Sequence, residues 1–345
     1  MDYKRIGIDI AKNVFQLHGV DSQDKAVLKK KLKRSEMIPY FTQLKPCRIS
    51  MEACGSSHYW SRKLTELGHN VRLIAPQHVK PYVQGGKNDA NDAQAICEAD
   101  SRPHMNYVST KTEAQQAMQL VHRARHVATK ARTALLNEIR GTLSEFGIIC
   151  PTLGAACTRS TLSKAMHDDS RVYPQPLPQL LELLELRLGN LDSEINTLDG
   201  LLAYHQTTDE RVKRLQQIEG IGPITASAII CSVDAKQFNN SRDFSAWLGL
   251  TPRQNSSGGK ERLGGITKRG DSYLRTLLIH GARNVVRYCI HKTDERSLWL
   301  QSLLLRRHAN VVAVASANKV ARVIWAMLVS GADYRVPKLV ALETS

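Results

Sequence analysis

Three short segments near the N-terminus, KRIGIDI at residues 4–10, then VFQLHGV and AVLKKKLK, narrow the fold more than any other feature. The first alternates apolar with small or polar residues, the period of a half-buried strand, and turn-like pieces separate the three strand candidates. They predict a meander of antiparallel strands. RISMEA at 48–53 supplies a fourth strand, 57–67 reads as a helix, and Gly68 leads into the strand VRLIA. A meander that passes into alternating strands and helices predicts an α/β domain. NDANDAQAICEAD is alanine-rich and opens on capping residues, so a helix is expected at or near Asn88, and the domain closes by about residue 105.

Beyond that point the pattern is helical. Residues 112–145 form one long helical stretch carrying Arg123, Arg125, Lys130, Arg132 and Arg140, basic enough on one face to lie along a phosphate backbone. Pro151 and the polar segment 158–178 interrupt it. Leu177, Leu181, Leu184, Leu188, Leu191, Ile195, Leu198 and Leu202 then alternate spacings of four and three, a heptad seam. An intrachain helical hairpin or a second subunit would bury such a seam equally well. IEGIGPITASAI, at 218–229, predicts a helix, a tight turn at Gly220 and Gly222, and a second helix near Pro223. The turn could offer amides to a phosphate, or simply let two helices approach closely. Domains are therefore expected at 1–105, 106–209 and 210–335, with a tail at 336–345.

Lys and Arg number 48 against 32 Asp and Glu, a formal charge of +16 that favours a polyanionic partner. The apolar windows 224–233 and 311–317 are too short to span a bilayer, so no membrane partner and an intracellular setting are expected. Seven scattered cysteines without a CxxC pair argue against a disulfide framework or structural zinc. His122 and His126 share a helical face in basic surroundings, which suggests a phosphate-facing surface better than a metal site.

Four carboxylates carry the chemistry: Asp9 in the first strand, Glu52 in the fourth, and Asp89 with Asp92 on the helix after them. Asp89 and Asp92 lie on one helical face, and that helix packed across the sheet would bring them beside the strand carboxylates. Clustered carboxylates repel unless a hard cation neutralises them, and magnesium suits oxygen ligands. Two magnesium ions roughly 4 Å apart could activate a nucleophile and stabilise a leaving oxygen in phosphoryl transfer. Singly, each carboxylate could equally be a strand-end, surface or helix-capping residue.

The second constellation is GLTPRQNSSGGKERLGGITKRGDSYLR at 249–275, a glycine-rich loop among Arg253, Lys260, Arg262, Lys268, Arg269 and Arg275. Its serines could attack phosphorus while the guanidinium groups hold the nonbridging oxygens, or could merely contact phosphate. The order GxxxxGK[ST] is absent, which disfavours nucleotide hydrolysis.

GIDIAKNVF, MEACGSS, KNDANDAQAI, IEGIGPITA and the serine loop, in this order, resemble the IS110-type family of transposases, in particular its IS1111-like branch, over essentially the whole chain. The resemblance implies an N-terminal RuvC-like, ribonuclease-H-fold domain, long coiled-coil helices, and a mainly helical C-terminal transposase domain with a helix-hairpin-helix-like motif. It puts the family's DEDD tetrad on Asp9, Glu52, Asp89 and Asp92 as magnesium ligands, and its catalytic serine on Ser257, with Ser256 the neighbouring alternative. It also implies donor and target DNA as substrates, an element-encoded noncoding guide RNA, a covalent phosphoserine intermediate, and dimers assembling into a homotetramer. Nucleic-acid contacts would fall on Arg123, Arg125, Lys130, Arg132, Gly220, Gly222 and the basic residues of the serine loop. Two other functions compete: a metal-dependent, structure-specific endonuclease resembling a Holliday-junction resolvase, and a noncatalytic nucleic-acid scaffold.

Overall fold

The computed structural model describes residues 2–86, 88–256, 260 and 262–335. They divide into two compact units: Met1–Glu113 with Asp234–Asn239, and Ala114–Val233 with Asn240–Ser345. The expected segments 106–209 and 210–335 both contribute to the second unit. The tail at 336–345 lies outside the described residues.

The first unit holds strands β1 (Arg5–Ile10), β2 (Val14–Val20), β3 (Ala26–Lys33), helix α1 (Met37–Thr42), β4 (Arg48–Glu52), α2 (Ser57–Glu66), β5 (Asn70–Ile74), α3 (Pro76–Val79), α4 (Asp89–Ala99) and β6 (Tyr107–Val108). The sheet order is β3-β2-β1-β4-β5-β6. β1, β2 and β3 pair antiparallel as the meander predicts, whereas β4 joins β1, and β5 joins β4, in parallel. This is the mixed α/β, RuvC-like arrangement that the resemblance implies. The short β6, unforeseen in the sequence, closes the far edge antiparallel to β5.

Side chains alternate across a strand, so the two faces of β1 differ in kind. Ile6 and Ile8 join Phe15, Leu17, Ile49, Met51, Trp60 and Leu64 in the main core, with Met37 and Phe41 of α1. Arg5, Gly7 and Asp9 point the other way, where α4 crosses the sheet. Gly7 lets that helix come close: a Cβ there would meet the backbone of Ala93 and Cys97. Arg5 donates from Nε to the Cys97 carbonyl at 3.0 Å, which fixes the same helix one strand step further back. A second apolar cluster of Ile74, Val79, Ala95, Ile96 and Ala99 seats its other side.

The second unit contains α5 (Glu113–Glu145), whose first residue still counts with the first unit, then α6 (Ala155–Met166), α7 (Leu177–Thr208), α8 (Glu210–Leu215), α9 (Pro223–Ser232) and α10 (Ser241–Trp247). β7 (Pro252–Gln254) and β8 (Leu263–Ile266) follow, then α11 (Ser272–Tyr288), α12 (Glu295–Leu304) and α13 (Ala309–Ser330). Leu177, Leu181, Leu184 and Leu188 of the seam are buried against Leu135, Leu136, Ile139 and Leu143 of α5 and Leu162 of α6. The first half of the heptad pattern is thus covered within the chain. Ile195 and Leu198 stay partly exposed.

α13 corrects one expectation. At 22 residues, with an 18-residue window of mean hydropathy 1.5, it is long and apolar enough to cross a membrane by length and composition. Asn318, Lys319 and Arg322 interrupt the apolar run, which makes it look short in the sequence, without lowering its average enough to exclude a span. Val312, Ala313, Ala317, Val320, Ala321, Ile324 and Met327 are buried, as a core helix requires, and α13 packs on α11 and α10. All seven cysteines are free, as expected.

Candidate metal centre and nucleic-acid interface

Parallel pairing of β1 with β4 sets Ile8 opposite Met51, so Asp9 and Glu52 follow as neighbours at the same strand ends. Both carboxylates are half-buried. On the facing helix, Asn88 caps the N-terminus by accepting from the Ala90 amide at 3.0 Å, which puts Asp89 and Asp92 in the first turn. There the helix dipole favours negative charge. Asn91 braces the approach to the helix by donating to the Gly86 carbonyl at 3.0 Å.

The outcome is a convergence of Asp9, Asp89 and Asp92, each offering a carboxylate oxygen within 4.8 Å of the others. Glu52 lies outside that tightest set but belongs to the same electrostatic field. Burial, then repulsion from Asp92, raises its pKa above the ordinary carboxylate range. Asp9 is pushed up to about 6, first by burial and then by the charges of Asp92, Asp89 and Glu52. Carboxylates held together against their own repulsion fit a hard divalent cation, and the all-oxygen donor set suits magnesium better than zinc.

The serine constellation is built differently from the open loop that glycine content suggested. β7 and β8 form an antiparallel hairpin, with Pro252 opposite Ile266 and Gln254 opposite Leu263. Asn255 donates from its amide to the Arg262 carbonyl at 2.9 Å, and Ser256 accepts on Oγ from the Arg262 amide at 3.3 Å. Ser257 lies outside the described residues. Arg253, Lys260, Arg262, Lys268 and Arg269 are exposed around the hairpin. Arg275 instead braces its base, donating from one guanidinium nitrogen to the Leu248 and Arg269 carbonyls at 3.1 and 2.9 Å.

The basic face of α5 also divides. Arg125 is paired with Asp199 of α7, and Arg132 with Asp192 of the same helix at 2.5 Å. Arg123 and Lys130, two turns apart, are exposed. Charge count alone could not separate cations that fasten α5 to α7 from cations that face solvent. Gly220, with φ at +89°, abuts Gly281 of α11 so closely that a Cβ on Gly281 would stand 1.9 Å from the Gly220 carbonyl oxygen. Close helix approach therefore accounts for Gly220, while Gly222 is exposed at the N-cap of α9.

His122 is a correction. It is buried, at 4% exposure, and is not part of a phosphate-facing surface. Its Nε2 lies 2.8 Å from Ser227 Oγ and its Nδ1 3.2 Å from the Tyr273 hydroxyl, while His205 Nδ1 approaches the same serine at 2.8 Å. The sequence placed His122 on the basic helix but contained no signal that α9 and α11 would cover it.

A carboxylate cluster at the strand ends of a RuvC-like sheet defines a class of enzymes that act on nucleic-acid phosphodiesters. The chain belongs to the transposase family described as IS116/IS110/IS902, whose model matches residues 212–297, while a second transposase family model matches residues 6–148. It is 56% identical to a Pseudomonas aeruginosa protein described as "Probable family 20 transposase", over 97% of this chain and 99% of that one. It is 44% identical to the transposase for insertion sequence element IS1111A of Coxiella burnetii, over 97% and 92% of the two chains. For the transposase of element IS1328 from Yersinia enterocolitica the identity is 40%, over 94% and 97%.

Proposed function

We propose that the chain is a magnesium-dependent DNA transposase of the IS1111-like branch, which excises and inserts its element by guide-RNA-directed strand exchange. The observation that carries the metal-dependent step is the convergence of Asp9, Asp89 and Asp92 within 4.8 Å on the RuvC-like unit. With Glu52 they would hold the ions, whose chemistry is to neutralise the phosphate and stabilise the departing oxygen.

Asp9 and Glu52 present their carboxylates from rigid strands, and α4 sets Asp89 and Asp92 against them, so the ligands are positioned before DNA arrives. Ser257 acts as nucleophile. Its Oγ bonds to phosphorus as the bond to the departing deoxyribose oxygen breaks, and the hydroxyl proton ends on that oxygen. The ester stores the broken bond, so rejoining to a new strand needs no ATP. Arg253, Lys260, Arg262, Lys268 and Arg269 hold phosphate around the hairpin. Arg123, Lys130 and the Gly222 amide region, in a helix-hairpin-helix-like element, support DNA or guide RNA. Ile195 and Leu198, the partly exposed positions of the α7 seam, serve chain-to-chain contact in a dimer that pairs into a tetramer, in the bacterial cytoplasm. The guide RNA and the assembly rest on the family resemblance.

Ser257→Ala tests the nucleophile. The variant is expected to fold and bind DNA yet form no covalent protein–DNA adduct on a denaturing gel with labelled DNA. An undiminished adduct would move the assignment to Ser256 or another hydroxyl, and cleavage without any adduct in the wild type would favour a resolvase-like endonuclease using water.

A further inference from the structure

A cleft of about 710 Å³ opens in the first unit, lined in part by Asn13, Lys33, Arg34, Ser35, Tyr59 and Trp60. Its volume is that of a site for one small organic group. Its chemistry is unusual for a protein with few aromatic residues. Tyr59 presents its ring at 40% exposure, edge-on to Trp60 with ring centroids 5.2 Å apart. The Arg34 guanidinium lies over the Trp60 indole, 5.2 Å from its centroid, and donates to the Lys12 carbonyl at 3.3 Å. Trp60 is 3% exposed, and its shielded indole N–H has no acceptor among the described residues. A buried donor without a partner is costly, and an acceptor on a bound group reaching past Arg34 would satisfy it.

The cleft continues into a cationic edge. β3 is the edge strand of the sheet, and its exposed lysines divide between the two faces: Lys30 lies over the Tyr40 ring, 4.5 Å from its centroid, whereas Lys29, Lys31 and Lys33 project from the other face, with Lys33 and Arg34 at the rim of the cleft. None of these five cations has a carboxylate ion-pair partner among the described residues; Glu36 accepts only from the Lys33 amide, at 2.7 Å. Lysines on an edge strand guard against strand pairing between molecules. That role explains their number but leaves the exposed ring of Tyr59 and the orphaned indole N–H beside them unexplained.

The cleft is also placed for function. Asn13 follows β1, which ends just after Asp9, and Tyr59 and Trp60 follow β4, which ends in Glu52. Lys33 pairs with Val14 across the meander, so the cleft borders the same end of the sheet as the carboxylates.

We propose that this cleft is a docking site for a single-stranded polynucleotide, one unstacked base lying on Tyr59 and its flanking phosphates held by Lys33 and Arg34. Paired cations at the rim select a polyanion, and an exposed ring beside them selects one whose bases are free to stack, which a duplex does not offer. The proposal rests on the transposase function above, and supplies a place for the unpaired strand beside the scissile phosphate.

The test uses full-length protein in EDTA, so that no cleavage intervenes, with a 12-nucleotide oligothymidylate or oligouridylate carrying a photoreactive 4-thio base. Cross-links are expected on the peptide containing Tyr59 and Trp60. Tyr59→Ala should weaken single-strand binding about tenfold, Tyr59→Phe should bind as the wild type does, and duplex affinity should be unchanged in both. Arg34→Gln should reduce the slope of log affinity against log salt by about 0.7. Cross-links confined to other peptides, or Tyr59→Ala binding the strand as tightly as wild type, would overturn the proposal. Asp9→Asn separates the two claims. It should retain the cross-link while losing magnesium-dependent cleavage; if it loses cleavage while Tyr59→Ala binds normally, the cleft falls and the transposase function stands. If Asp9→Asn cleaves normally while Tyr59→Ala loses the strand, the cleft stands and the metal site falls.

Discussion

Gly7 of β1 and Ala93 of α4 meet backbone to backbone: a methyl group on Gly7 would stand 2.4 Å from the Ala93 carbonyl oxygen and 2.5 Å from the Cys97 amide nitrogen. Asp9 projects from the same face of β1 two residues on, and Asp89 leaves α4 one turn before Ala93. The contact therefore sets the depth at which the helix carboxylates meet the strand carboxylate.

Gly7→Ala should accordingly act on the metal site without touching a ligand. Backbone atoms cannot yield as a side-chain tip can, so α4 must lift, at a cost of about 1–3 kcal/mol in stability. Thermal unfolding should show a lower Tm, and magnesium should restore less of it than in the wild type. Wild-type Tm and wild-type cleavage in Gly7→Ala would mean that α4 is not held by this contact.

Asp9→Asn should raise the stability of the metal-free protein at neutral pH. The folded-state pKa of Asp9 is raised to about 6 from 3.8, so its contribution is fully present below pH 3.8 and is lost as pH rises through 6. Above pH 6 the ionised group costs on the order of 1–3 kcal/mol, which an amide avoids. Denaturant unfolding in EDTA at pH 7.5 would measure the gain. Magnesium should then stabilise the wild type and leave Asp9→Asn nearly unmoved, because only a ligand that binds the folded state shifts the equilibrium.

Much of this site was legible before the structure. Alternation marks β1, short apolar runs between turns mark β2 to β4, and the cap at Asn88 marks the start of α4, so Asp9, Glu52, Asp89 and Asp92 can be assigned to their elements. Their convergence was not legible, since it depends on parallel pairing of β1 with β4 and on the space above Gly7, both long-range facts. The GID spacing held a hint, a residue without a side chain on the same strand face as the acid. Likewise, no local pattern distinguishes Arg125 and Arg132, which α7 engages, from Arg123 and Lys130, which it does not. The hairpin under Ser256 is not legible in the sequence because its strands are only three and four residues long and rich in glycine and charge.

Arg123→Glu with Lys130→Glu should weaken duplex DNA binding and lower the salt slope by up to about 0.9 for each phosphate left without its cation, with Tm unchanged. Arg132→Ala should do the opposite, lowering stability by up to about 1 kcal/mol by removing its pairing with Asp192 and leaving the salt slope alone. Fluorescence anisotropy across a salt series, beside a melting curve, distinguishes the two outcomes.

Acid should destabilise the second unit through His122. Burial, then the charges of His205 and Arg125, lowers its pKa from 6.5 to about 4. Below pH 6.5 the unfolded imidazole takes a proton that the folded one refuses, so stability is present above pH 6.5 and declines as pH falls towards 4, by at most about 3 kcal/mol. His205, which shares Ser227, is likewise held below its ordinary value by burial, while Arg211 keeps its neighbour Asp209 below the usual carboxylate range and so ionised through this window. His122→Gln should flatten the acid limb of stability against pH; an unchanged limb would place the sensitivity elsewhere.

The central claim is that Asp9, Asp89 and Asp92, with Glu52, hold divalent cations at the strand ends of the RuvC-like unit. Anomalous diffraction from a manganese-soaked crystal of the full chain addresses it directly. At least one peak is expected within coordination distance of the Asp9, Asp89 and Asp92 carboxylates, and none there in Asp9→Asn. A protein that cleaves DNA in manganese while its crystals, soaked with that ion, show no density at these three residues would contradict it.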